Sequence, residues 1–139
     1  GMVDTGFTVP PEKLDRFGLS SPLCDEKIIT ASMRERKGAM EERGDAFIAL
    51  PGGIGTLEEI LEVMVLKQLG YHDRPVVFID IDDFYGELEE FFKKLSREQF
   101  MKESTRAQYA IWKSPAEALD YIENYTPPAL EAKWFSRSQ

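Results

Sequence analysis

Thiol and imidazole groups are scarce in this chain of 139 residues, which has one cysteine, Cys24, and one histidine, His72. A single cysteine closes no internal disulfide and supplies no cysteine cluster for a metal, and it fits a reducing compartment. A histidine-dependent triad would have to use His72, which stands in the polar loop Gly70 to Arg74 and reads as a solvated loop residue. Positive charge is also short. Lys and Arg number 17 against 25 Asp and Glu, a net charge of −8. That balance excludes the basic face a nucleic acid or an anionic membrane surface needs. No apolar run approaches the length of a membrane span and no signal-peptide pattern opens the chain, so a cytoplasmic protein is expected. An acidic chain can still hold a small anion, because a few placed cations and backbone N–H groups suffice.

What is present is ordinary for a globular protein, with 42% hydrophobic and 30% charged residues. The length fits one domain, 1–139. Residues 1–26 read as irregular, apart from one helical turn at Pro11 to Arg16, and 126–139 read as an irregular tail. Between them the pattern is regular. Lys27 to Ala31 is a short β-branched run, Ser32 is a candidate N-cap, and a helix follows to about Arg43, with Gly44 just past its end. Ala46 to Leu50 is a continuous apolar run, which predicts a strand covered on both faces as in a parallel sheet. A helix over Thr56 to Leu69, a strand over Val76 to Ile81 and a helix over Phe84 to Leu95 come next, the last with Phe91, Phe92 and Leu95 inward. Gln108 to Trp112 completes the strands, and Pro115 to Tyr125 the helices, with Pro115 suited to a first turn. Strands alternating with helices predict an α/β fold built from βαβ units with a parallel sheet.

The segment with the most chemistry in it is Pro51 to Glu59, PGGIGTLEE. Ligands of open parallel sheets sit beyond the carboxyl ends of strands, and this turn follows one. Pro51 ends the strand because it has no N–H for the ladder. Gly52, Gly53 and Gly55 permit positive φ and leave room for a ligand against the backbone. A helix starting near Thr56 aims its first N–H groups and its dipole into the turn, where a phosphate is the natural occupant. A plainer reading stays open: Thr56 and Glu59 match the capping box T-x-x-E, in which Glu59 satisfies a backbone N–H and does no chemistry. Glu58 and Glu59 would repel a phosphate, so a neutral or cationic part of the ligand suits them better.

The second constellation is Arg34-Glu35-Arg36-Lys37. Met33 and Met40 mark an inner helix face on spacing, and Arg36 lies on or beside it, where its fork needs a carboxylate or phosphate. Lys37 flanks it. Arg34 and Glu35 read as solvated charge, and the same reading stays open for Arg36. Asp80, Asp82 and Asp83 follow a strand and precede a helix, which favours capping over a metal site.

Met33, Arg36 and Lys37 followed by PGGIGTLEE resemble the paired motif M-x-x-R-K and P-G-G-x-G-T-x-E-E of the Lonely-guy family of cytokinin-activating phosphoribohydrolases, long labelled lysine decarboxylases. The resemblance runs over roughly residues 27–125. It implies a Rossmann-like fold and a homodimer with the site near its interface. The implied activity is hydrolysis of a nucleoside 5′-monophosphate, such as a cytokinin riboside monophosphate or AMP, to free base and ribose 5-phosphate, with no metal and no cofactor. Arg36 and Glu59 match the family's catalytic arginine and glutamate. Gly52, Gly53, Gly55 and Thr56 match its phosphate loop, Glu58 its paired acid, and Lys37 a further substrate-side position. A decarboxylase is not implied, since pyridoxal phosphate chemistry needs a Schiff-base lysine and Lys37 does not have that role in the motif. Two departures stand out. Arg34 occupies a position where the family often has histidine, and no G-G-x-x-G-L-M-G segment precedes Lys27. The expected fold is therefore shortened at its N-terminal βαβ unit. The alternatives to the hydrolase are a non-catalytic nucleotide- or phosphate-binding protein resembling molybdenum-cofactor carriers, and a degenerate relative.

Overall fold

A computed structural model of the chain describes residues 7–8, 12, 16 and 25–128. The chain divides into two units, Gly1–Gly44 and Asp45–Gln139. Most of the segment expected to be irregular before Asp25, with Cys24, lies outside the described residues, as does the tail from residue 129.

In the first unit, β1 (Phe7–Thr8) and β2 (Glu26–Lys27) pair in parallel, with Phe7 opposite Glu26 and Thr8 opposite Lys27. This corrects two expectations. Residues 1–26 are not irregular throughout, and the strand expected over Lys27 to Ala31 stops at Lys27, with Thr30 joining only as a single bridge residue. Within the expected turn at Pro11 to Arg16, the Arg16 N–H donates to the Glu12 carbonyl at 3.1 Å, one helical turn.

Helix α1 (Met33–Arg43) starts where the sequence predicts. Ser32 is extended and its hydroxyl accepts the Glu35 N–H at 3.2 Å, while the Glu35 carboxylate accepts the Ala31 N–H at 2.9 Å. Glu35 is thus part of a cap rather than loose solvated charge. Arg43 at the other end bridges to Glu26 of β2 at 2.7 Å. Gly44 closes the helix with φ −75°, a conformation open to any residue. The inner methionine face is corrected: no residue of α1 is buried, Met33 is exposed, and Met40 is half-buried.

The second unit contains β3 (Phe47–Ala49), α2 (Ile54–Leu69), β4 (Val76–Ile79), a 3-10 turn Ile81–Asp83, α3 (Gly86–Arg97), a 3-10 turn Glu103–Gln108, β5 (Ala110–Trp112) and α4 (Pro115–Glu123). The three strands form a parallel sheet in the order β3-β4-β5. It is an α/β, Rossmann-like arrangement of a parallel sheet with flanking helices. β4 is central, and all four of its residues are buried. Its alternation separates two cores. Val76 and Phe78 pack with Ile60, Val63 and Met64 of α2 and Phe92 of α3, whereas Val77 and Ile79 pack with Ala118 of α4. Each such side chain removed from water is worth about 1.5–3 kcal/mol, so β4 anchors both layers.

β3 lies at one edge of this sheet, and the expectation that both its faces are covered is corrected, since Ile48 and Leu50 are exposed. In α3 the inward stripe is Leu88, Phe92 and Leu95, and Phe91 is exposed. Phe91 lies about 100° around the helix from Phe92, off the stripe that three- and four-residue steps create. α3 also begins at Gly86, two residues after the expected Phe84, because Asp82 and Asp83 take left-handed conformations (φ 52° and 62°) that interrupt the helix. α4 matches its prediction, with Pro115 in the first turn and the Ser114 hydroxyl accepting the Glu117 N–H at 3.3 Å.

The amino ends of the strands are tied by polar groups. His72 is not a solvated loop residue: it is half-buried, it tilts against Phe47 at 5.4 Å, its Nδ1 accepts the Arg74 N–H at 3.2 Å, and its Nε2 sits 3.0 Å from the Val63 carbonyl. An Nδ1 that accepts leaves Nε2 as the donor, so the ring is neutral here. Burial, its largest influence, lowers its pKa. Lys67, near the end of α2 and only 2% exposed, donates at 2.7 Å to both the Arg74 carbonyl and the Tyr125 hydroxyl.

Burial pulls the Lys67 pKa from 10.5 down to about 8, against the raising effect of Asp73. Burial, with the Tyr121 and Asp73 charges, pushes Tyr125 up to about 12. The folded chain therefore binds the Lys67 proton more weakly than the unfolded chain does. The resulting cost is complete below pH about 8 and fades as pH rises toward the unfolded value. Tyr125 acts in the opposite sense, favouring the folded state until the unfolded hydroxyl ionises near pH 10. Urea midpoints measured from about pH 7 to about pH 9.5 should show a Lys67-dependent gain of roughly 1–2 kcal/mol. The slope should flatten in Lys67→Met, and an identical slope in that variant would refute the assignment.

Candidate functional site

The glycine turn leaves the carboxyl end of β3 and enters α2. Its geometry differs from the sequence expectation at the helix start. α2 begins at Ile54 with Gly53 as N-cap, two residues before Thr56, and no side chain caps it. Thr56 is therefore the third helical residue, and the capping box of Thr56 with Glu59 does not form. No acidic residue stands in the first turn. The N–H groups of Ile54, Gly55 and Thr56 have no carbonyl a turn earlier to bond, and the positive end of the helix dipole faces the same way. Leu57 N–H is the first to bond back, to the Gly53 carbonyl at 3.3 Å.

The glycines serve for space rather than for handedness. Among the described glycines only Gly70 has positive φ, so the expected use of positive φ at Gly52, Gly53 and Gly55 is corrected. A Cβ on Gly52 would lie 2.3 Å from Thr56 Oγ1 and 3.0 Å from Thr56 Cβ, because the threonine side chain folds over the turn. A Cβ on Gly53 or Gly55 would meet nothing within 4 Å. These two positions border open space at the helix N-terminus, where a ligand can approach the backbone.

The two acids diverge. Glu59 is half-buried and follows Thr56 by three residues on one side of the helix, whereas Glu58 is exposed. A step of about 100° per residue aims consecutive side chains in different directions, so a ligand at the turn does not meet them as a symmetric pair. Arg36 and Lys37 are half-buried residues of α1 in the first unit. The turn, Thr56, Glu58 and Glu59 come together in the second.

At the same end of the sheet stand Tyr85 and Lys113, which the sequence did not single out, beside Asp80 and Asp83, which it did. Tyr85, 2% exposed, donates its hydroxyl to the Leu50 carbonyl at 2.6 Å, immediately before Pro51. Its own N–H donates to Asp80 Oδ1 at 2.8 Å, and Lys113 Nζ lies 2.5 Å from Asp80 Oδ2 and 3.5 Å from Asp83. Lys113, followed by the Tyr85 N–H, holds the Asp80 carboxyl below its ordinary pKa. Asp80 thus holds the residue that precedes α3, while the side-chain cap expected of the three aspartates does not form at either helix start. No periodicity announces the Tyr85 contact, because it joins a side chain to a carbonyl thirty-five positions away. Among the described residues no group of three or more His, Cys, Asp and Glu is placed to hold a metal, and no helix is long and apolar enough to cross a membrane.

A parallel α/β sheet with an uncapped, glycine-lined helix start beyond a strand is an arrangement that can hold a phosphate. The family described as "possible lysine decarboxylase" matches residues 4–122. A probable cytokinin riboside 5′-monophosphate phosphoribohydrolase of Oryza sativa subsp. japonica is 45% identical over 119 residues, covering 86% of this chain and 48% of that protein. Two cytokinin riboside 5′-monophosphate phosphoribohydrolases of Arabidopsis thaliana are 41% identical over 121 residues and 42% identical over 119 residues. Each match covers 86% of this chain, and 55% and 56% of those proteins. The chain belongs to this family, the Lonely-guy family. It spans about half the length of the curated relatives it matches.

The contrast among the glycines is testable by urea unfolding and phosphate-ligand titration together. Gly52→Ala should cost about 1–3 kcal/mol of stability, the range for forcing a methyl into packed space. Gly53→Ala should change stability by less than about 0.5 kcal/mol yet weaken AMP binding. Equal stability losses at the two positions would contradict the assigned roles.

Proposed function

We propose that this chain hydrolyses the N-glycosidic bond of a nucleoside 5′-monophosphate, cytokinin riboside monophosphate or AMP-like, to free base and ribose 5-phosphate. The observation that carries the reading is the start of α2: an N-terminus with no side-chain cap and no acid in its first turn, open at Gly53 and Gly55, with Glu59 one turn further along. The names of the relatives support the same chemistry.

The 5′-phosphate sits on the N–H groups of the turn, with Gly52, Gly53, Gly55 and Thr56 as its cradle. Cleavage moves positive charge onto the ribose as the base departs with the bond electrons. The Glu59 carboxylate stabilises that charge or takes a proton from the water that forms the new C1′–O bond, and the departing base gains a proton. The family motif also makes Arg36 a catalytic position, and Lys37 and Glu58 substrate-binding positions. No metal or cofactor enters the scheme. We further propose a cytoplasmic homodimer that engages neither nucleic acid nor membrane.

A lysine decarboxylase does not fit. The buried lysine of suitable character, Lys67, is engaged by Arg74 and Tyr125 near the far end of α2 from the glycine turn.

The test is release of free base from AMP and from N6-prenylated AMP, with Glu59→Gln alongside. The parent should release base, and the variant should retain AMP binding while losing about 10²–10⁴-fold in rate, the span of acid–base contributions. A parent that binds a panel of monophosphates and releases no base would replace this reading with a non-catalytic nucleotide-binding protein.

A further inference from the structure

Little in the sequence of the glycine turn itself holds it in place. The β3 ladder ends at Ala49, opposite Phe78. After it, the Leu50 side chain is exposed, Pro51 has no N–H, and Gly52 and Gly53 have no side chain to bury. A loop so composed would sample many positions, and a phosphate cradle gains affinity from having only one. Among the described residues two contacts are local: the Thr56 side chain over Gly52 and the Leu57 N–H on the Gly53 carbonyl. The third comes from another element, and it is the Tyr85 hydroxyl on the Leu50 carbonyl.

Packing alone does not explain a tyrosine there. Its ring meets Phe78 and Phe84 edge-on at 5.1 and 5.0 Å, contacts a phenylalanine would make equally well. Only the hydroxyl reaches the turn. The group that carries it is itself fixed, because buried Asp80 accepts the Tyr85 N–H, and the Asp80 N–H is bonded to the Trp112 carbonyl at 2.8 Å. Position therefore passes from β5 through Asp80 and Tyr85 to the entry of the glycine turn. Burial raises the Tyr85 pKa, so the hydroxyl remains a donor across the ordinary pH range.

We propose that Tyr85, oriented by Asp80, is the positioning residue of the glycine turn, holding the Leu50 carbonyl so that the backbone of Gly52 and Gly53 and the first N–H groups of α2 meet a phosphate in one geometry. The inference rests on the reading of this turn as a phosphate site. It adds a residue outside the turn that sets its affinity.

Tyr85→Phe removes only the hydroxyl. AMP affinity, read by calorimetry, should fall about tenfold while adenosine, which lacks the phosphate, loses less than about twofold. In turnover KM for AMP should rise by a similar factor, with kcat falling by less than about threefold. Asp80→Asn, which keeps an acceptor for the Tyr85 N–H, should fall between parent and Tyr85→Phe. Unchanged AMP affinity in Tyr85→Phe would overturn the proposal and leave the hydrolase reading standing. Equal losses for AMP and adenosine, with a lowered melting temperature, would overturn it too, reducing Tyr85 to a packing role. A parent that binds AMP but releases no base would remove the hydrolase reading, and the affinity comparison would still decide the role of Tyr85. A parent that binds no AMP would overturn both.

Discussion

The second unit depends on one constraint: β4 has a neighbour strand on each side and a packed layer on each face. Four consecutive buried residues, Val76 to Ile79, leave no side free for water, so both layers must form together. The alternation then dictates the rest. Phe78 draws α2 and α3 to one face, and Val77 and Ile79 draw α4 to the other. The parallel register places Ala49 opposite Phe78 and Ile79 opposite Trp112, so β3, β4 and β5 finish at a common level. The glycine turn, the Asp80 carboxylate and Lys113 all gather at that carboxyl end because the strands end there together.

Local signals account for where the helices start, and the one that misleads is the most informative. Three stretches have the form S/T-x-x-E: Ser32 to Glu35, Thr56 to Glu59 and Ser114 to Glu117. At the first and third the hydroxyl accepts the N–H three residues on, and the glutamate bonds back near the cap. At the second the helix has already begun, because Gly53 takes the N-cap position with extended backbone angles and no side-chain bond. A helix that forgoes an available cap gives up about 1 kcal/mol. In exchange its first N–H groups remain open to a ligand, a departure from local consistency of the kind found where binding is required.

The parallel sheet, the element types and the glycine turn were thus legible from periodicity and punctuation. Contacts between distant side chains were not. Spacing along α1 placed Met33 inward, yet no residue of α1 is buried, because spacing defines a stripe and not what covers it. His72 looked solvated from its polar neighbours, though the carbonyl of Val63 and the ring of Phe47 were waiting for it. Tyr85 lies in an acidic, aromatic stretch with nothing to mark its hydroxyl. Glycine and proline mark the turn in the sequence, but nothing there marks the hydroxyl that bonds to the carbonyl before it.

Lys67 with His72, and Asp80 with Tyr85, form two polar groups at opposite ends of α2. Near its C-terminus Lys67 and His72 spend their hydrogen bonds on the carbonyls of Arg74 and Val63 and on Tyr125, and burial disfavours the charged form of both. These are closing contacts with no donor left pointing at an open space. Beyond the carboxyl ends of the strands the arrangement is reversed: Asp80 keeps its charge through Lys113, Tyr85 keeps its proton, and the backbone they steady leads into open N–H groups. A lysine of lowered pKa is commonly a sign of chemistry. Here it closes the end of the unit away from the turn, where the Arg74 carbonyl and the Tyr125 hydroxyl take up its ammonium.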